Sequence, residues 1–169
     1  MRGVLVVLLV AVMTAGAWLG SPIPVQAERG LIAGGIGFGH RESYGFVYGE
    51  LYITESMSVG LEHFPRASTL SAWFGRDFGL YGEVTWFAEG GSSQAWEAGV
   101  WGTLGISERL ELSGWVGALR LRDDSRTRLS VNAEAAYTIR GPLFLVVGAG
   151  TYNLDPDRMA GWAGVGYSF

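Results

Sequence analysis

The sequence contains no cysteine, no lysine and only 5 prolines in 169 residues. The missing cysteine excludes a disulfide framework, zinc–thiolate sites and thiol catalysis. With no lysine, all 12 basic residues are arginine, so sidedness rules that count lysines do not apply. A basic excess is lacking too. The formal net charge is −4, which gives nucleic acid nothing to bind. Helical periodicity is also absent: no segment after the first 27 residues sustains an apolar repeat of 3.6 residues.

What is present begins with an export signature. Met1-Arg2 precedes an apolar run from Val4 to Trp18, and Pro22, Pro24 and Val25-Gln26-Ala27 follow. A charged start, an apolar core and a small-residue site read as a secretory signal, residues 1–27, cleaved after Ala27. A helix that crosses a bilayer needs about 20 apolar residues, more than this run supplies. Residues 28–169 are then one domain. An exported chain without disulfides needs another source of stability, and a closed barrel in lipid provides one.

Alternation at period two recurs throughout those residues. Ten runs carry it, over 30–40, 43–54, 57–64, 69–76, 79–88, 94–106, 109–121, 127–139, 142–152 and 159–169. Most approach the roughly 9–11 residues that a tilted strand needs to cross a membrane. The third and fourth are short, and if they do not both cross, the count is eight. Tight connections (54–57, 77–78, 107–109, 140–142) alternate with mostly longer, more polar ones (40–42, 65–68, 89–93, 123–125, 153–158). Pro65, Pro142 and Pro156 fall in connections or at a strand's first residue, where no ladder donor is lost.

One parity of these runs is apolar. It includes Ile32, Ile36, Val47, Leu51, Leu61, Leu70, Leu80, Val100, Val116, Leu145, Val147 and Val165. Its only charges are Arg76 and Arg120, both near strand ends. An arginine on the lipid side at the bilayer midplane costs roughly 2–4 kcal/mol, so this absence is what a membrane-facing surface requires. Aromatics on the same parity sort by height. Phe74, Tyr137, Tyr167 and Phe169 lie near the turns, and Phe38, Trp86 and Trp96 near the loops. Two aromatic girdles around an aliphatic band are an interfacial arrangement that a soluble sandwich has no reason to adopt.

The last run, Gly161-Trp162-Ala163-Gly164-Val165-Gly166-Tyr167-Ser168-Phe169, keeps its apolar stripe up to a terminal aromatic. Behind an export signal, it resembles the closing strand of a bacterial outer-membrane β-barrel. In size and pattern the whole of 28–169 resembles the compact OmpA/OmpX/OmpW-like barrels. The resemblance implies an all-β, closed antiparallel up-and-down transmembrane barrel, to which the ten runs assign ten strands, or eight if the third and fourth do not cross. It also implies both termini in the periplasm, the outer-membrane bilayer as surroundings, the barrel-assembly machinery as partner and a monomeric state. Fold does not carry function with it.

The other parity would face the lumen. It carries an acidic belt (Glu50, Glu62, Glu83, Glu97, Glu134) and aromatics (Tyr48, Tyr52, Trp73, Tyr81, Trp101, Trp115). In a barrel of this size such side chains can fill the interior. If Thr54 faces Ser58 in the second hairpin, Glu50 faces Glu62. Two carboxylates in contact cannot both ionise cheaply. Few arginines share this parity, so neutralisation falls to a strand-end arginine (Arg76, Arg122, Arg128), to water or to protonation.

Catalytic patterns are weak. Barrel lipid A deacylases resemble a His-x-Ser plus Glu constellation, but His40 precedes Arg41-Glu42-Ser43 and His63 precedes Phe64-Pro65-Arg66. No enzyme, metal or cofactor is expected. Arg120, Arg122, Arg126 and Arg128 surround one hairpin tip and could hold anionic headgroups or phosphates; internal Arg–Asp pairing is the plainer reading. The leading expectation is a structural or surface-contact barrel with a side-chain-filled lumen. A narrow channel for small solutes or cations comes second, and a secreted β-sandwich or lipocalin-like binder third.

Overall fold

The computed structural model describes residues 29–39, 43–88, 94–124, 126–153 and 159–169. The signal-like segment 1–27, His40 and the loop stretches 89–93 and 154–158 lie outside the described residues.

The alternating runs form ten strands: β1 (Gly30–Phe38), β2 (Ser43–Thr54), β3 (Met57–Phe64), β4 (Ala67–Gly75), β5 (Phe78–Phe87), β6 (Gln94–Gly105), β7 (Leu110–Leu121), β8 (Thr127–Arg140), β9 (Leu143–Tyr152) and β10 (Met159–Ser168). Each pairs antiparallel with its sequence neighbours, and β1 pairs with β10, so the sheet is a closed barrel. The short strands β3 and β4 are full members, which settles ten strands over eight. Closure leaves no strand edge to protect, and it excludes a sandwich.

The connection expected to be long at 65–68 is a two-residue turn. Phe64 pairs with Ala67 across Pro65-Arg66, and β4 begins two residues early. Proline is preset for the first central position of a tight turn, so it shortens this connection. Bulges interrupt β2 between Tyr52 and Thr54 and β8 between Thr138 and Arg140, both at the turn rim.

The seam between β1 and β10 depends on glycine. Gly35 pairs with Gly164, and a Cβ on Gly35 would lie 2.1 Å from the Ala163 carbonyl oxygen. Only a residue without a side chain allows that approach. The terminal Phe169 continues the ladder: its N–H donates to the Gly30 carbonyl at 2.9 Å, and its carbonyl accepts from the Gly30 N–H at 3.0 Å.

Burial is inverted relative to a soluble protein. The well-covered residues, such as Phe46, Tyr81, Glu97 and Ser130, point inward. The exposed ones are Ile32, Ile36, Val47, Leu51, Leu61, Leu80, Val147 and Val165, and they point outward. In water each such side chain would forgo roughly 1.5–3 kcal/mol of burial. Exposed apolar patches on soluble monomers rarely exceed a few hundred Å². Apart from strand-terminal Arg120 and Arg140, no charged side chain sits at an outward strand position. This exterior suits hydrocarbon, and a lipocalin-like barrel in water would be left with an uncovered apolar belt.

Candidate functional site

The strand registers set where the inward glutamates stand. Glu50 lies opposite Gly60, Gly60 opposite Ser71, Ser71 opposite Glu83, and Glu83 opposite Glu97. Strands in such barrels tilt by roughly 35–45°. This row therefore climbs from the turn-side half of β2 to the loop-side third of β6. Glu62 lies opposite Tyr48, and Glu134, midway along β8, opposite Ser113. Carboxyl groups are thus staggered along the lumen.

The expected Glu50–Glu62 opposition does not occur. Thr54 pairs with Met57 rather than Ser58, and the bulge beside it offsets the register so that Glu62 meets a tyrosine. The directly opposed glutamates are Glu83 and Glu97 instead. Residues 89–93 between their strands gave no turn from which this register could be read.

Neutral donors satisfy three of the five belt glutamates. The Tyr48 hydroxyl donates to Glu50 at 2.6 Å, Tyr81 to Glu97 at 2.5 Å, and the Trp162 indole N–H to Glu134 at 2.7 Å. Ser130 is a second hydrogen-bond partner of Glu97. A phenol or indole donor completes a carboxylate oxygen without desolvating a second charge. Arg128 does not serve this purpose: its guanidinium pairs with Asp124 at 2.8 Å. Glu62 and Glu83 have no hydrogen-bond donor among the described residues, and both line the lumen cavity.

The aromatics form a bridge across the interior. Trp73 on β4 stacks on Tyr81 with ring centroids 5.0 Å apart. It also meets Trp101 and Trp115 edge-on, each at 5.9 Å. Trp115 continues to Trp162 on β10 at 6.0 Å. Each such pair adds roughly 0.5–1.5 kcal/mol beyond its area burial. Room comes from small neighbours, since a Cβ on Gly117 would lie 2.2 Å from the Tyr81 hydroxyl. Trp162 shares the inward parity of the other lumen aromatics, as its place in the last run predicts. Gly148, opposite it on β9, clears space for the indole: a Cβ there would lie 2.2 Å from the Trp162 ring.

These side chains narrow the lumen without filling it. A cavity of about 1970 Å³ remains. Its lining runs from Thr54 and Arg109 at the turn rim, past Glu83 and Glu134, to Phe64 and Leu121 at the loop rim.

The remaining candidates sit at the rims. Phe74, Tyr137, Tyr167 and Phe169 are exposed at the turn side, and Phe38, Trp86 and Trp96 at the loop side. Of the loop arginines, Arg120, Arg122 and Arg126 are exposed, and Arg128 is half-buried against Asp124. His63 is exposed, and its ring nitrogen Nδ1 contacts Ser68 Oγ at 2.9 Å across the β3–β4 turn. Among the described residues, no group of three or more His, Asp and Glu side chains is arranged to hold a metal.

This geometry defines a class, the transmembrane-type β-barrel with a narrowed acidic lumen. No family model and no curated protein matches the sequence. Solved structures of similar shape include a de novo designed transmembrane β-barrel, at 16% identity and TM-score 0.48, covering 85% of this chain and 98% of that one. The translocator domain of autotransporter NalP from Neisseria meningitidis is similar at 11% identity and TM-score 0.46, with 93% of each chain covered. The KdgM porin is similar at 10% identity and TM-score 0.46, covering 82% and 99%.

Proposed function

We propose that the chain is a monomeric integral outer-membrane barrel that passes small cations through a narrow aqueous lumen. The observation that carries this reading is the cavity itself, lined from rim to rim, with carboxyl groups staggered along it. Glu62 and Glu83 are the side chains best placed to favour cations, because no described donor occupies them. The apolar exterior and paired aromatic rims support the bilayer placement, and the export-like first 27 residues support the outer membrane. The terminal strand ending on Phe169 fits insertion by the barrel-assembly machinery, as in the OmpA/OmpX/OmpW-like barrels.

Planar-bilayer conductance of the refolded chain, residues 28–169, tests this. Under a KCl gradient the reversal potential is expected to favour the cation, and Glu62→Gln with Glu83→Gln to reduce that preference. A silent wild-type barrel overturns the reading.

The Trp73–Trp115–Trp162 bridge favours a second reading, a structural or surface-contact barrel with a closed lumen. On that reading the wild type is silent, and Trp73→Ala with Trp115→Ala opens a conducting path.

A further inference from the structure

The hairpin between β7 and β8 holds charge that the lumen does not use. Arg120 occupies an outward position, directly opposite Trp96 in the β6–β7 register. Trp96 is 54% exposed on the apolar exterior, and Leu129, diagonal to Arg120 on β8, is 41% exposed. The Arg120 backbone therefore sits at the edge of the apolar belt, level with the loop-side aromatic ring. A guanidinium there extends along its own methylene stem into the headgroup layer. Arg122 and Arg126 are exposed just beyond it.

The nearest acid does not quench them. Asp124 is engaged within the hairpin, by the Arg128 guanidinium at 2.8 Å and the Arg126 backbone N–H at 2.9 Å. Asp123, exposed at the tip, is the one other described acid in this hairpin. Three guanidinium groups on a surface continuous with the lipid-facing belt complement phosphate esters, which arginine binds bidentately.

We infer that Arg120, Arg122 and Arg126 form a docking surface for the phosphate groups of anionic lipids in the leaflet at the loop rim.

The test uses the refolded chain in nanodiscs of phosphatidylcholine doped with phosphatidylglycerol. Native mass spectrometry counts the phosphatidylglycerol molecules retained on release. Each arginine near an anionic surface contributes several-fold to binding, so the triple variant R120Q/R122Q/R126Q is expected to weaken retention on the order of 100-fold. A turn-rim control, R76Q/R109Q, is expected to retain lipid as the wild type does. Heat-modifiable gel migration confirms that both variants fold. Equal retention by the triple variant and the wild type overturns the inference, as does an equal loss in the turn-rim control. Release by millimolar inorganic phosphate overturns it in favour of a site for soluble anions.

Discussion

The two faces of the same ten strands obey different rules. Outward positions are interchangeable: any aliphatic side chain suits hydrocarbon, and only height matters, which sorts aromatics to the rims. Inward positions are specific. Glu97 needs Tyr81, Glu134 needs Trp162, and Trp73 fits because Gly117 leaves room for Tyr81. One face is therefore set by composition and the other by register. Damage to the first should scale with polarity and depth, and damage to the second with the loss of one named partner.

The sharpest way to break this contrast is to place the same charge on each face. Val147, the fifth residue of β9, is 58% exposed on the exterior. Val147→Arg should destabilise the barrel by about 2–4 kcal/mol in urea unfolding from vesicles. Ser113 faces inward opposite Glu134. Ser113→Arg should cost under about 1 kcal/mol, because the guanidinium gains a carboxylate partner. Equal losses at both positions would mean that the faces do not differ in environment.

A somewhat smaller effect probes the specific face. Tyr81→Phe keeps the ring stacked on Trp73 and removes the donor to Glu97. Hydrogen bonds to charged groups are worth about 1.5–3 kcal/mol, and Ser130 remains to soften the loss. A double-mutant cycle with Glu97→Gln isolates the pair, and strict additivity of the two substitutions would show that they do not interact.

The same contrast explains what the sequence made legible. The exterior could be read because a period of two needs no knowledge of partners: Val147 is outward whatever lies beside it. Parity followed from that alone, whereas the choice of ten strands over eight needed the pairing of the short β3 and β4. Lumen membership followed too, since parity sends Glu50, Glu62, Glu83, Glu97 and Glu134 inward together. Their pairing did not follow, because register depends on turn geometry. A turn closing on Met57 instead of Ser58, together with one bulge near Ile53, moved Glu62 from Glu50 to Tyr48. The hydrogen-bond donors were hidden for another reason. Trp162 reaches Glu134 from β10, 28 positions away in the chain, and only closure of the barrel and the small residues beside it bring them together.

The smallest expected effect lies outside both faces, at the β7–β8 hairpin. The Arg126 backbone N–H, and then the Arg128 guanidinium, hold the Asp124 carboxyl below the usual aspartate range. A folded-state value below the unfolded one means that folding favours the carboxylate. The contribution is then complete above the ordinary aspartate range near pH 4. It fades as pH falls through the depressed folded value. Because the half-buried carboxyl is still in contact with solvent, screening keeps the effect local. Amide exchange at Arg126 is the fitting readout. Protection should hold from neutral pH to about 4 and decline below that in the wild type, with a flat, weaker profile in Asp124→Asn. A wild-type profile as flat as the variant's would mean that the ion pair does not order the tip. In that case Arg128 would be as free as Arg122 to meet anions at this rim.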